Sequence, residues 1–251
     1  MKNENLYHYI LEIADNNLIL GQRLGELCGH GPELETDIAC TNISLDLLGQ
    51  VRNYYQYAAT VQGEGKTEDD IAFLRRERQY KNVLLVEQPS TNFAHTVVRQ
   101  FLFDVFHLLF INALQNSTDE TLSAIAKKSI KEVLYHQRFS ADWVKRLGDG
   151  TAESKQKMQE AVNALWVYTD ELFHETEASK AMLALGIAVD TEAFKEEYYQ
   201  RVTEVLTVAT LEVPENKWFQ KGGKQGVHTE HLGFLLSDLQ YMQRTYPGQK
   251  W

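Results

Sequence analysis

Only four prolines interrupt this chain of 251 residues, and Pro32, Pro89, Pro214 and Pro247 all fall at breaks between long periodic segments. A proline inside a helix removes a backbone donor and clashes with the preceding turn. Long proline-free stretches with an apolar period near 3.6 therefore predict helices. The first spans about 6–28, where Leu6, Ile10, Ile13, Asn17, Leu20, Leu24 and Leu27 alternate steps of four and three. That is the seam of an antiparallel bundle with one polar interruption. Gly29-His30-Gly31-Pro32 ends it. A second helix is predicted over 33–62, with Leu34, Ile38, Leu45, Leu48 and Tyr55 on one stripe, followed by a short acidic-then-basic helix over 68–79. A third starts at Thr91 or Asn92, either of which can cap it, and runs to about Gln115. A fourth covers 119–147 and opens on Asp119 and Glu120, which the helix dipole favours. Further helices are predicted over 154–174, 191–211 and 229–245, with a glycine- and lysine-bearing loop over 214–226. Val83-Leu84-Leu85-Val86 is apolar enough for a strand, but no partner strand appears, so it reads as a buried loop. No Ser- or Gly-rich linker and no repeat divides the chain, so 1–251 reads as one all-α domain: a helical bundle with additional C-terminal helices.

Charge and cysteine content narrow the function classes. Asp plus Glu number 35 against 25 Lys plus Arg, a net charge of -10 that disfavours nucleic acid as a partner. Hydrophobic residues make up 43%, enough for a substantial core. No uncharged run approaches ~18 residues, so no membrane-spanning helix is expected. Cys28 and Cys40 lack metal-ligand spacing and are too few to staple such a chain. They read as buried structural thiols in a reducing, cytoplasmic setting.

Several carboxylates sit where the periodicity asks for apolar residues. Asp104 lies within the Val97, Phe101, Leu108, Ile111 stripe, and Glu132 within Ile125, Ser129, His136, Phe139, Trp143. Asp15 lies between Leu11 and Leu18, and Asp46 between Leu45 and Leu47. One inward carboxylate on each of four helices is the skeleton of a ferritin-like di-iron bundle, which takes Glu from two helices and Glu-x-x-His from the other two. Here the histidine positions hold Gly49 and Tyr135, while His107 and His136 stand in the wrong register. Carboxylates without imidazole hold iron weakly. The economical reading is a degenerate site, Asp15, Asp46, Gly49, Asp104, Glu132 and Tyr135, with no metal. Its carboxylates would then bond to Tyr135, His107, His136 or a basic side chain. The alternative is a divergent di-metal oxygenase built on Asp15, Asp46, Asp104, Glu132 and His136, and a third class is a stand-alone storage or binding protein.

Two other clusters carry weaker signals. His228-Thr229-Glu230-His231 is one residue short of an inverted zincin and reads as caps and hydrogen-bond donors. Lys217, Lys221, Gly222, Gly223 and Lys224 form either a solvated loop or a seat for an anion such as a CoA phosphate.

The stretches Arg23-Leu24-Gly25-Glu26-Leu27-Cys28-Gly29-His30-Gly31-Pro32-Glu33-Leu34-Glu35, Leu45-Asp46-Leu47-Leu48-Gly49-Gln50 and Leu84-Leu85-Val86-Glu87-Gln88-Pro89 resemble a known family. So do Gly222-Gly223-Lys224, His228-Thr229-Glu230-His231-Leu232-Gly233 and the closing Pro247-Gly248-Gln249-Lys250-Trp251. Taken in order, they resemble the C-subunit family of bacterial phenylacetyl-CoA epoxidases, multicomponent monooxygenases of phenylacetate breakdown. The resemblance implies a ferritin-like chain without a working iron site and with no cofactor of its own. It implies a catalytic di-iron A subunit as partner and other subunits that supply electrons from NADPH. A homodimer is a further possibility. For the joint with the partner, the sequence suggests apolar residues in excess of four seams: Tyr54, Tyr55, Phe103, Phe106, Val83, Leu84, Leu85 and Val86.

Overall fold

The computed structural model describes residues 2–215 and 218–249, so Lys217 of the basic loop and Lys250 and Trp251 of the C-terminal stretch lie outside the described residues. Four long helices make the bundle: α1 (Lys2–Gly25), α2 (Leu34–Gln62), α5 (Phe93–Leu114) and α6 (Glu120–Gly148). Between them come the short helices α3 (Glu68–Phe73) and α4 (Leu84–Glu87). After them follow α7 (Ala152–Leu165), α8 (Glu177–Leu183), α9 (Lys195–Val208), α10 (Glu230–Leu239) and α11 (Tyr241–Thr245). No strand occurs among the described residues. The architecture is an all-α ferritin-like bundle with additional C-terminal helices.

Local chemistry sets the helix ends. Asn92 accepts from the His95 N–H, Asp119 from Leu122 and Thr151 from Ser154, so α5, α6 and α7 start on side-chain caps, whereas Glu33 before α2 provides none. α2 stops where Gly63 adopts a φ of 70° and returns its N–H to the Ala59 carbonyl. α1 lies along α2, and α5 along α6. α2 and α6 run antiparallel, because Asp46 meets His136 while Gln50, one turn later on α2, meets Glu132, one turn earlier on α6.

Two of the four helices are enclosed on all sides. α5 is long and apolar enough to cross a membrane, but 83% of its most apolar window is buried inside the protein, where α6, α7, α9 and α4 pack on it. α1 is buried from Tyr9 through Gly21, between α2, α4 and α8. The bundle seam foreseen for α1 is one of several faces it buries.

Some sequence expectations need correcting. Tyr54, Tyr55, Phe103, Phe106, Val83, Leu84, Leu85 and Val86 are all buried within this chain. The surplus of apolar groups belongs to the enclosed α5 and its surroundings and is not an exposed joint. Val83 to Val86 is not a loop: Leu84–Glu87 forms one turn of helix, seated in the core between α1 and α5. On α2 the buried apolar residues are Cys40, Ile43, Leu47, Val51, Tyr54, Tyr55 and Ala58; of the predicted stripe, Leu34, Ile38 and Leu45 face outward, Leu48 is half-buried and only Tyr55 is in the core. Cys40 is buried, whereas Cys28 is exposed in the turn after α1. The helix predicted over 154–174 ends at Leu165 and continues as 3-10 turns over Trp166–Tyr168 and Asp170–Phe173.

The C-terminal segments are tied down by two buried carboxylates. Glu171 accepts from the N–H groups of Leu84 (2.6 Å), Gly222 (2.7 Å) and Gly223 (2.7 Å). The glycine loop does form an anion seat, and the protein's own Glu171 fills it. Gly223 allows the close approach, since a Cβ there would collide with the Asn82 carbonyl oxygen. Glu87 accepts from Asn82 Nδ2, His228 Nδ1, and the Thr229 N–H and hydroxyl at 2.6–2.9 Å. Removing the Glu171 carboxylate orphans three buried backbone donors. Glu171→Ala is expected to lower unfolding free energy by about 3 kcal/mol, with Glu171→Gln intermediate, as read by urea denaturation.

Candidate functional site

The bundle interior is where a ferritin-like fold builds its metal centre, and here its polar groups pair off separately. Asp15, on α1, accepts from Tyr55 Oη (2.5 Å), Arg75 Nη1 (2.8 Å), Arg75 Nη2 (2.5 Å) and the Lys81 N–H (2.7 Å). Its four donors come from α2 and the segment after α3. Asn17 donates to Gln50 Oε1 (3.1 Å), and Gln50 donates to Glu132 Oε2 (3.1 Å), a chain across α1, α2 and α6. Asp46 pairs with His136 Nε2 at 3.1 Å. Asp104 accepts from Gln100 Nε2 (2.7 Å) and Ser140 Oγ (2.8 Å).

These are separate local networks with no common centre. Among the described residues no three His, Cys, Asp or Glu side chains come together as a metal cluster. Gly49 and Tyr135, read from the sequence as the histidine-ligand positions, are both exposed on the outer side of the α2–α6 pair, and their neighbours Gln50 and His136 are the residues that turn inward. The five groups of the di-metal alternative, Asp15, Asp46, Asp104, Glu132 and His136, are likewise divided among separate networks. The donor set does not fit a di-iron group. The expected carboxylate partners are found in part: Asp15 uses the basic Arg75 and Asp46 uses His136, but neither Tyr135 nor His107 serves.

Burial sets the proton states. Asp104 is fully buried without a cation, and burial pushes its pKa up to about 8, against which Ser140 and Gln100 pull only partly. His107 is pushed down to about 3 by burial and then by His136, so it is neutral. Neither His107 ring nitrogen has a protein partner. It lines a cavity of about 40 Å³ together with Phe103, Phe106, Phe110 and Ile13, with Glu12 and Lys224 on the same wall. Burial raises the Glu12 pKa, and Thr176 Oγ1 donates to it at 2.6 Å.

His228 and His231 form no metal pair. His228 gives Nδ1 to Glu87 (2.9 Å) and Nε2 to the Tyr80 carbonyl (3.1 Å). Both acceptors lack hydrogens, so both ring nitrogens donate and the ring is the imidazolium. Burial pulls its pKa down, but the Glu87 carboxylate overrides this and leaves it above the ordinary value. Sequence reasoning missed Arg75, Glu87, Glu171 and Gln50. Glu87 was the one with a signal, a lone acid between an apolar run and a proline.

The description Phenylacetic acid catabolic protein names a family whose profile matches residues 1–251 of this chain. The chain belongs to that family. It is also 51% identical over 243 residues to the C subunit of the 1,2-phenylacetyl-CoA epoxidase of Escherichia coli (strain K12), an alignment covering 97% of this chain and 98% of that protein. Membership assigns the chain a role in phenylacetate catabolism, and in this structure its carboxylates form struts to protein donors on neighbouring elements.

Two measurements test these struts. Between pH 3.8 and about 8 the native Asp104 keeps a proton that the unfolded chain has lost, so stability falls as pH rises through that window. An amide at this position accepts from Gln100 and donates to Ser140 Oγ, which reaches the Gln137 carbonyl at 3.3 Å. Asp104→Asn is therefore expected to melt above the wild type at pH 8, with the gap closing toward pH 4. His107→Phe replaces an unpartnered imidazole beside free volume and is expected to stabilise by about 1 kcal/mol in chemical denaturation. A loss of that size instead means that the imidazole holds a bound partner.

Proposed function

We propose that this chain is a non-catalytic, structural subunit of a phenylacetyl-CoA epoxidase, pairing with and supporting the catalytic di-iron A subunit. The observation that carries the reading is the dispersal of the interior carboxylates: Asp15 is committed to Arg75, Asp46 to His136, Glu132 to Gln50 and Asp104 to Gln100 and Ser140. A di-iron centre needs those groups free and convergent, with imidazole beside them. Gly49 and Tyr135 supply none. A chain of this family without its own centre acts through contact. The Escherichia coli relative is by its name one subunit among several of an epoxidase, which supports an assembly of several chains. Electrons and iron then enter through other chains.

Iron loading under anaerobic conditions, followed by elemental analysis, tests the first half. The isolated chain is expected to hold no stoichiometric iron, and two irons per chain that vanish on Glu132→Ala would overturn the reading. Co-expression with the other subunits tests the second half. Omitting this chain is expected to cost the catalytic subunit its solubility and the assembly its epoxidation. A fully soluble, fully active catalytic subunit in its absence refutes the structural role.

A further inference from the structure

The outer face of the α2–α6 pair brings together two features. On α2, Leu34, Ile38 and Leu45 are 70%, 51% and 60% exposed, and they recur at steps of four and seven, so they form one apolar stripe. On α6, Lys127, Lys131 and Arg138 recur at steps of four and seven as well, with Lys128 beside them, and all are exposed. None of these four cations has an acidic partner among the described residues. The acid on this stretch of α6, Glu132, turns aside to Gln50. A chain of net charge -10 has thus gathered unpaired positive charge on one helix face. Leu134 and Tyr135 stand exposed among the cations.

The two stripes follow one another diagonally across one outer surface: in the antiparallel register the Leu34, Ile38, Leu45 stripe lies beside the C-terminal half of α6, and Lys127 and Lys131 lie beside the later turns of α2. The Asp46–His136 and Gln50–Glu132 contacts join the helices side by side, and both helices turn their buried faces to α1 and α5. Gly49 stands at the seam with open space where a Cβ would be, so the surface there admits an incoming side chain. Two helices of 29 residues extend ~40 Å and are together ~20 Å wide. That is about the 800 Å² per partner of a standard specific interface.

We propose that this face docks a different polypeptide, another subunit of the assembly, whose contact surface sets an apolar patch beside a run of Asp and Glu. This rests on the reading of the chain as a complex subunit. The unpaired cations require carboxylates opposite them, and the Leu34, Ile38, Leu45 stripe requires apolar cover. A second copy of this chain does not meet the need: a two-fold contact across α6 sets Lys131 and Arg138 of one copy against the same cations of the other.

The test uses the full chain co-expressed with the other epoxidase subunits. Lys131→Glu with Arg138→Glu, and separately Leu45→Asp, are compared with Phe234→Asp on α10 as an exposed control. Each variant is first shown to keep the wild-type circular dichroism and melting temperature. The two α2–α6 variants are expected to weaken assembly at least tenfold, and wild-type affinity is expected to fall steeply between 50 mM and 500 mM salt. The control is expected to assemble normally. Should both α2–α6 variants assemble as the wild type does, the face is wrong while the subunit reading stands. If the wild type joins no partner, the subunit reading fails and this proposal with it. A wild-type homodimer in light scattering that Leu45→Asp dissolves assigns the face to self-association and overturns the proposal.

Discussion

Helix α1 is buried on every side yet carries Glu12, Asp15, Asn16 and Asn17 within two turns. A buried polar group without a partner costs roughly 1–3 kcal/mol, so this cluster dictates what surrounds it. Thr176 comes in for Glu12, Arg75 with Tyr55 for Asp15, the Val83 N–H for Asn16 and Gln50 for Asn17. Tyr55 and Gln50 lie on α2, and the other partners lie on three further segments. The placement of the stretch after α3, of α4 and of the turn before α8 follows from feeding those four side chains. The apolar contacts then close over the result.

The same logic governs the rest of the interior. A ferritin-like bundle with a metal centre leaves its carboxylates facing one another and lets the cation reconcile them. Here each carboxylate is reconciled by protein donors, or by keeping its proton, as Asp104 does up to about pH 8. Glu171 and Glu87 extend the pattern to the C-terminal segments, where backbone N–H groups and the His228 imidazolium are the donors. The His228 contribution is fully present below the ordinary histidine range and is lost as pH rises through its raised native value. Alkaline conditions therefore loosen the hold of the chain's C-terminal third.

Reading the interior as struts also changes where contact with other chains is found. Aromatic residues such as Phe103 and Tyr55 look like an excess only if every helix is half-buried. With α1 and α5 enclosed, these rings are core. Exposed apolar area lies elsewhere, in part along Leu34, Ile38 and Leu45 on the helix pair that also carries the α6 cations.

What the sequence determined by itself was the helical class, the positions of the long helices to within a few residues, and the inward placement of Asp15 and Asp104. Proline positions, capping residues and apolar period are local properties, and they report local structure directly. The inward register on α2 and α6 was not legible: Gly49 and Tyr135, read as ligand positions, face outward, while their neighbours Gln50 and His136 are buried. Tertiary structure alone decided which of two apolar stripes on α2 faced the core, since both have helical spacing and only the packing of α1 chooses between them. It alone decided that Val83 to Val86 became a turn of helix, because burial between α1 and α5 outweighs a short run's local preference. It alone assigned the partners, Arg75 to Asp15, Glu171 to the glycine loop and Glu87 to His228. Those pairs join residues that are 51 to 141 positions apart, and no periodicity along a chain encodes a contact at such separation.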